Sequence, residues 1–123
     1  MELLVKACWI LLAAAHAPPA AVALAPRLVS KLYGVSGAGD LGVLLTHRGV
    51  LFLAIVLVCV SAVFDVGGRR IAGVAAAISM VGFLILYARA GFPAGPLRRI
   101  ALVDAAALAP LAVVLVDAWR PRV

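Results

Sequence analysis

Residues 71–88 read IAGVAAAISMVGFLILYA, eighteen consecutive positions without a charged side chain, closed by Arg69 and Arg70 before and Arg89 after. At 1.5 Å per helical residue the stretch covers about 27 Å, close to the roughly 30 Å hydrocarbon thickness of a bilayer. It is too long and too uniformly apolar for the alternating, roughly ten-residue strand of a membrane barrel. Outward from it, three further apolar segments occupy about 3–25, 43–64 and 100–119. The expected fold is therefore all-α: an integral membrane bundle of four transmembrane helices at about 3–25, 43–64, 71–88 and 100–119, filling residues 1–123 as a single domain.

Composition points the same way. Of 123 residues 67% are hydrophobic and only 13% charged, about half the charged share of a soluble domain. So few polar side chains do not cover the surface of a small soluble fold. The net charge of +6 would suggest a polyanion partner in a soluble protein. Here the bases flank apolar stretches, where lipid headgroups meet them, so membrane lipids are the expected partners and nucleic acid is not. Six bases (Arg27, Lys31, Arg48, Arg89, Arg98 and Arg99) fall on one side of four spans and five (Lys6, Arg69, Arg70, Arg120 and Arg122) on the side of the termini. This balance gives the positive-inside rule nothing to decide orientation by.

Local signals refine the segments. Pro18 and Pro19 should kink or end the first helix. Lys6, an apolar run and Ala15-His16-Ala17 imitate a signal peptide, but proline after each candidate site argues against cleavage. Residues 27–33 suggest a short interfacial helix with Tyr33 at headgroup level, and Trp9 and Trp119 read as belt residues. Residues 65–70 read as a tight turn and 91–96 as a loop; residues 119–122 close the chain at the interface. Repeats of small residues at Ala13, Ala17 and Ala21, at Gly73 and Ala77, and at Ala101, Ala105 and Ala109 would allow close helix approach. Cys8 and Cys59 read as free thiols packed as small hydrophobes. Ser61 and Ser79 are expected to bond helix carbonyls.

The candidate site is an intramembrane polar cluster: His16, His47, Arg48 and Asp104. In an up-down bundle all four fall at similar depth on the side opposite the termini. Gathering them around one another or a wet cavity lowers their cost in hydrocarbon. Arg48 and Asp104 are the expected ion pair, joined by an arginine fork. The cluster reads either as a tie between the second and fourth helices, as side chains reaching the interface, as a pocket for a headgroup, quinone-like ring or proton, or as a contact surface. His16 and His47 raise a two-histidine haem, yet nothing fixes their rotamers. No spacing supports a metal site, and no serine has a convincing base, so no catalytic residue, metal or cofactor is expected.

The runs His47-Arg48-Gly49-Val50-Leu51-Phe52 and Arg98-Arg99-Ile100-Ala101-Leu102-Val103-Asp104, with His16, Leu32-Tyr33-Gly34 and Ser79-Met80-Val81-Gly82-Phe83, resemble a group of short bacterial four-helix inner-membrane proteins of unknown activity. Some members of that group are mislabelled as adenylyltransferases. The resemblance implies the inner membrane and a four-helix topology. Nucleotidyl transfer does not follow, because the chain lacks a phosphate-cradling loop. The expected function is that of a small noncatalytic inner-membrane protein, an accessory subunit or binding module with a membrane-protein partner or a second copy of itself. The alternative is a lipid-, quinone- or haem-linked redox or transport protein using the polar cluster.

Overall fold

The computed structural model describes residues 1–121, so Arg122 of the predicted interfacial end lies outside the described residues. The helices are α1 (Glu2–Leu24), α2 (Leu28–Tyr33), α3 (Gly39–Phe64), α4 (Arg69–Arg89) and α5 (Pro96–Trp119), and the described residues contain no strand. All but α2 are long and apolar enough to cross a membrane, so the chain is an all-α, multi-pass membrane bundle. Large apolar side chains such as Leu3, Ile10, Leu57, Ile71 and Leu102 stay uncovered by protein around its periphery, as lipid-facing positions do.

Helix boundaries follow local chemistry. Proline at Pro96 is compatible with a first helical position, and it starts α5 four residues before the expected boundary. Asp40 lies in the first turn of α3, where a carboxylate meets the positive end of the helix dipole. That helix therefore begins well before residue 43. In α1, Pro18 and Pro19 do not end the helix, which continues to Leu24. Each removes one amide donor, but the turns on either side remain packed through His16, Pro19, Ala20 and Val22. The span 65–70 is only partly a turn. Asp65 Oδ1 accepts from the Gly67 amide at 2.9 Å, and Arg69 and Arg70 already belong to α4.

The four long helices form a ring in which α1 packs on α3 and α5, and α4 packs on α5 and more loosely on α3. The pairs α1/α4 and α3/α5 lie across the diagonals. The main core joins Val5, Trp9, Leu12, Cys59, Ala76, Met80, Leu111 and Val114. Trp9 is fully buried rather than in an interfacial belt. Its ring crosses the interior toward Gly73, whose added Cβ would lie 3.8 Å from Trp9 Cη2. Trp119, 49% exposed, does sit at the rim. Both cysteines are buried free thiols.

The predicted small-residue stripe of α5 is not its packed face. Ala105 and Ala109 are exposed, and Ala101, Asp104, Ala107, Leu111, Val114 and Ala118 turn inward. Ala17 is exposed as well. The i, i+4 spacing of alanines reflected their abundance. The inward face instead combines steps of three and four.

At the end holding the termini the bundle is closed by Arg69, 1% exposed. Its guanidinium bonds Glu2 of α1 and, at 3.0 Å, Asp117 of α5, while Nε donates to the Ala62 carbonyl at 3.0 Å. Ala62 lies in the last turn of α3, where carbonyls lack helical partners. Arg70 Nε likewise donates to Ala118 O in the last turn of α5 at 2.9 Å. Two adjacent arginines thus cap two helix C-termini, where positive charge is also favoured by the dipole. The polar tie of the bundle is Arg69, not Arg48.

Candidate functional site

The opposite end is looser. The buried positions of α4 all lie between Arg69 and Met80, and α4 packs only loosely on α3. A cleft of about 1020 Å³ opens between them, lined by residues 41–55 of α3, 75–87 of α4, Tyr33 at the end of α2, and the loop around Pro93. Those helical stretches are about 18–21 Å long, more than the roughly 15 Å of hydrocarbon in one leaflet. Among the described residues Arg48 is the only charged one on the lining.

Sequence depth places the polar residues at one level. His16 is about 12 Å from the end of α1, Asp104 about 12 Å from the start of α5, Arg48 about 13 Å from the start of α3, and Ser79 about 15 Å from the end of α4. Because α3 and α5 begin earlier than expected, Arg48 and Asp104 lie two turns or more inside their helices rather than one.

Shared depth does not bring all four predicted residues together. Among the described residues Arg48 and Asp104 form no ion pair; the salt bridges there are those of Arg69. The two residues occupy diagonal helices, α3 and α5, whose backbones are not neighbours. Asp104 is buried at 6% exposure facing the interior, and Arg48 acts on it only through space. His47 is exposed. Successive helical residues turn by about 100°, so His47 lies about 140° around α3 from Phe52, away from His16. The two histidines therefore do not face one another as axial ligands would. Three or more His, Cys, Asp or Glu side chains do not converge on any point among the described residues.

What does converge was missed in the sequence. His16, 1% exposed, directs Nδ1 to the Leu12 carbonyl at 2.8 Å and Nε2 to Ser79 Oγ at 3.2 Å. A carbonyl only accepts, so Nδ1 carries the proton. In the neutral ring Nε2 is then the acceptor, and the Ser79 hydroxyl donates to it. This bond crosses the α1/α4 diagonal, and Ser79 also lines the cleft. Ser61 behaves as expected, donating to Val58 O at 2.9 Å, but Ser79 bonds a ring nitrogen instead of a helix carbonyl. Ser79→Ala is expected to lower unfolding stability in detergent by about 1 kcal/mol. An unchanged unfolding midpoint would show the bond to be incidental.

Arg48 enters an aromatic cage. Its Cζ lies 4.8 Å from the Phe52 ring centre, 5.3 Å from Phe83 and 5.5 Å from Tyr33. Cation–π attraction of this kind contributes about 0.5–2 kcal/mol. Phe52 also sits 5.5 Å from the His16 ring, linking cage and diagonal bond. Tyr33 is 7% exposed and packs with Val22 and Val29, so it is an inner residue rather than a headgroup anchor. Its hydroxyl has no partner among the described residues. Burial pushes the Tyr33 phenol up from its ordinary value, and the Arg48 charge opposes that shift.

No protein family, no curated protein and no solved structure matches this chain.

Proposed function

We propose that the chain is a small noncatalytic protein of the bacterial inner membrane that works as a binding module, holding the chain of a lipid-like amphiphile in the α3–α4 cleft. The observation that carries this reading is the cleft itself: about 1020 Å³ of apolar space at leaflet depth, with one cation on its wall. Its size is at the upper end of the roughly 300–1,000 Å³ range of small-molecule sites, which are likewise mostly apolar with few polar groups. The resemblance to short bacterial inner-membrane proteins supports the location. The His16–Ser79 bond is read as structural because both side chains are already partnered and no second donor among the described residues bonds the Ser79 oxygen.

Gly82 provides the test. It lines the cleft, and a Cβ added there meets nothing within 4 Å. Gly82→Leu therefore fills the cleft without pressing on the bundle. The native chain, purified in mild detergent, is expected to carry a stoichiometric lipid-like molecule in native mass spectra, and Gly82→Leu to lose it while unfolding at the same denaturant concentration. Equal retention by both proteins refutes the cleft as the site. A stoichiometric protein in place of the lipid favours the accessory-subunit reading, and a retained quinone or a haem absorption band favours the redox alternative.

A further inference from the structure

We infer that Arg48 is the head-group site of this cleft and selects a lipid chain ending in an anionic oxygen group, a phosphate or a carboxylate. The inference rests on the proposed cleft and adds the chemistry of what enters it.

The chain treats its arginines differently. Arg69 meets two carboxylates and a carbonyl, and Arg70 a carbonyl. Arg48 makes no hydrogen bond or ion pair with any described residue, although it lies on the wall of an apolar cleft within a spanning helix. The three rings attract its positive charge but accept none of its N–H groups in the geometry of a fork. A guanidinium carries five such donors, and a cation at this depth is costly unless its charge and donors are answered. A phosphate or carboxylate answers both with two parallel hydrogen bonds. Asp104 does not, since it lies beyond ion-pair distance on the diagonal helix.

Tyr33 adds a second, independent indication. Its ring lies against the Arg48 guanidinium and lines the cleft, and its buried hydroxyl has no partner. The Tyr33 ring thus flanks the one charged side chain that the described residues place on the lining, and carries a donor that no described residue accepts. The depth argues for a lipid rather than a soluble anion. Between Arg48 and Ile55 about 10 Å of apolar cleft continues past the midpoint of α3, which inorganic phosphate leaves unfilled and an attached chain covers.

The experiment uses the full chain in nanodiscs of zwitterionic phosphatidylcholine, titrated with dodecyl phosphate, laurate, dodecanol and inorganic phosphate, and read by nuclear magnetic resonance of the isotope-labelled probes. Dodecyl phosphate and laurate are expected to bind and to displace each other, with inorganic phosphate showing no binding. Arg48→Gln is expected to weaken both anionic probes by about ten- to a hundred-fold while leaving dodecanol unchanged, which also shows that the variant is folded. Suppression of dodecyl phosphate binding in phosphatidylglycerol nanodiscs identifies a bilayer phospholipid as the source of the head group. Persistence there identifies a single-chain amphiphile, and both results support the site. Dodecanol binding as tightly as the anions, or an Arg48→Gln protein that binds the anions as well as the native chain does, overturns the head-group assignment and leaves the cleft. Failure of all chain-bearing probes to bind the native chain overturns the cleft and this inference together.

Discussion

Gly49→Val is expected to separate α1 from α3 and to lower the stability of the bundle by about 2–3 kcal/mol. A Cβ at Gly49 would lie 2.9 Å from the Ala23 amide nitrogen, 3.0 Å from the Pro19 carbonyl oxygen and 3.2 Å from Val22 Cβ. Two of those neighbours are helix backbone, which cannot turn aside as a side chain does. In hydrocarbon the helices gain nothing from burying apolar surface against each other, so close backbone approach carries much of their association. Valine branches at the point of contact and forces the axes apart; Gly49→Ala should show the same effect at reduced size. Titration of the refolded protein with sodium dodecyl sulfate in mixed micelles measures the difference. Gly82→Leu serves as the internal control, because that glycine faces open space. If both glycine variants unfold at the same detergent fraction, α1 and α3 do not meet as closely as described.

The contrast between those glycines shows what the sequence could and could not disclose. Four spans were legible because hydrophobic length is a property of each segment alone. The common depth of His16, Arg48 and Asp104 was legible too, since depth follows from counting residues along a helix. Which residues face one another is not. It depends on the order of helices around the ring and on how each helix is turned: both pairs lie across diagonals, yet His16 meets Ser79 across one, while Arg48 turns instead to the rings of Tyr33, Phe52 and Phe83. Gly49 follows His47 and Arg48 while Gly82 sits among apolar residues, but neither setting tells which glycine meets another helix. Trp9 was misplaced for a related reason. Its distance from the helix end suits a belt, but it lies on the buried face of α1 and packs across the interior toward Gly73.

Arg69 is the largest omission, and its removal the most severe change expected. Its neighbours Gly67, Gly68 and Arg70 make residues 65–70 look like a solvated turn, so nothing local marks one of two adjacent arginines as buried. The marker is nonlocal: Glu2 and Asp117 lie near the ends of the first and last helices, on the side where the turn between α3 and α4 also emerges. Arg69→Met removes the cation that Glu2 and Asp117 share and leaves the Ala62 carbonyl without this donor. Breaking a buried, hydrogen-bonded charge pair costs about 3–5 kcal/mol. The Glu2 limb, 55% exposed, adds little because water screens it, so the lower end, about 3 kcal/mol, is expected. Arg69→Lys keeps the charge but offers no planar fork, and should recover less than half of the loss. Arg69→Met combined with Asp117→Asn should cost less than the two separate losses together, because each single change already breaks the same bond. Arg48→Met provides the comparison: it removes a cation that no described residue bonds, and should leave unfolding in mixed micelles within about 1 kcal/mol of the native chain. Equal losses for Arg69→Met and Arg48→Met would mean that the closed end is not held by Arg69, and strict additivity with Asp117→Asn would remove the α4–α5 ion pair from the account.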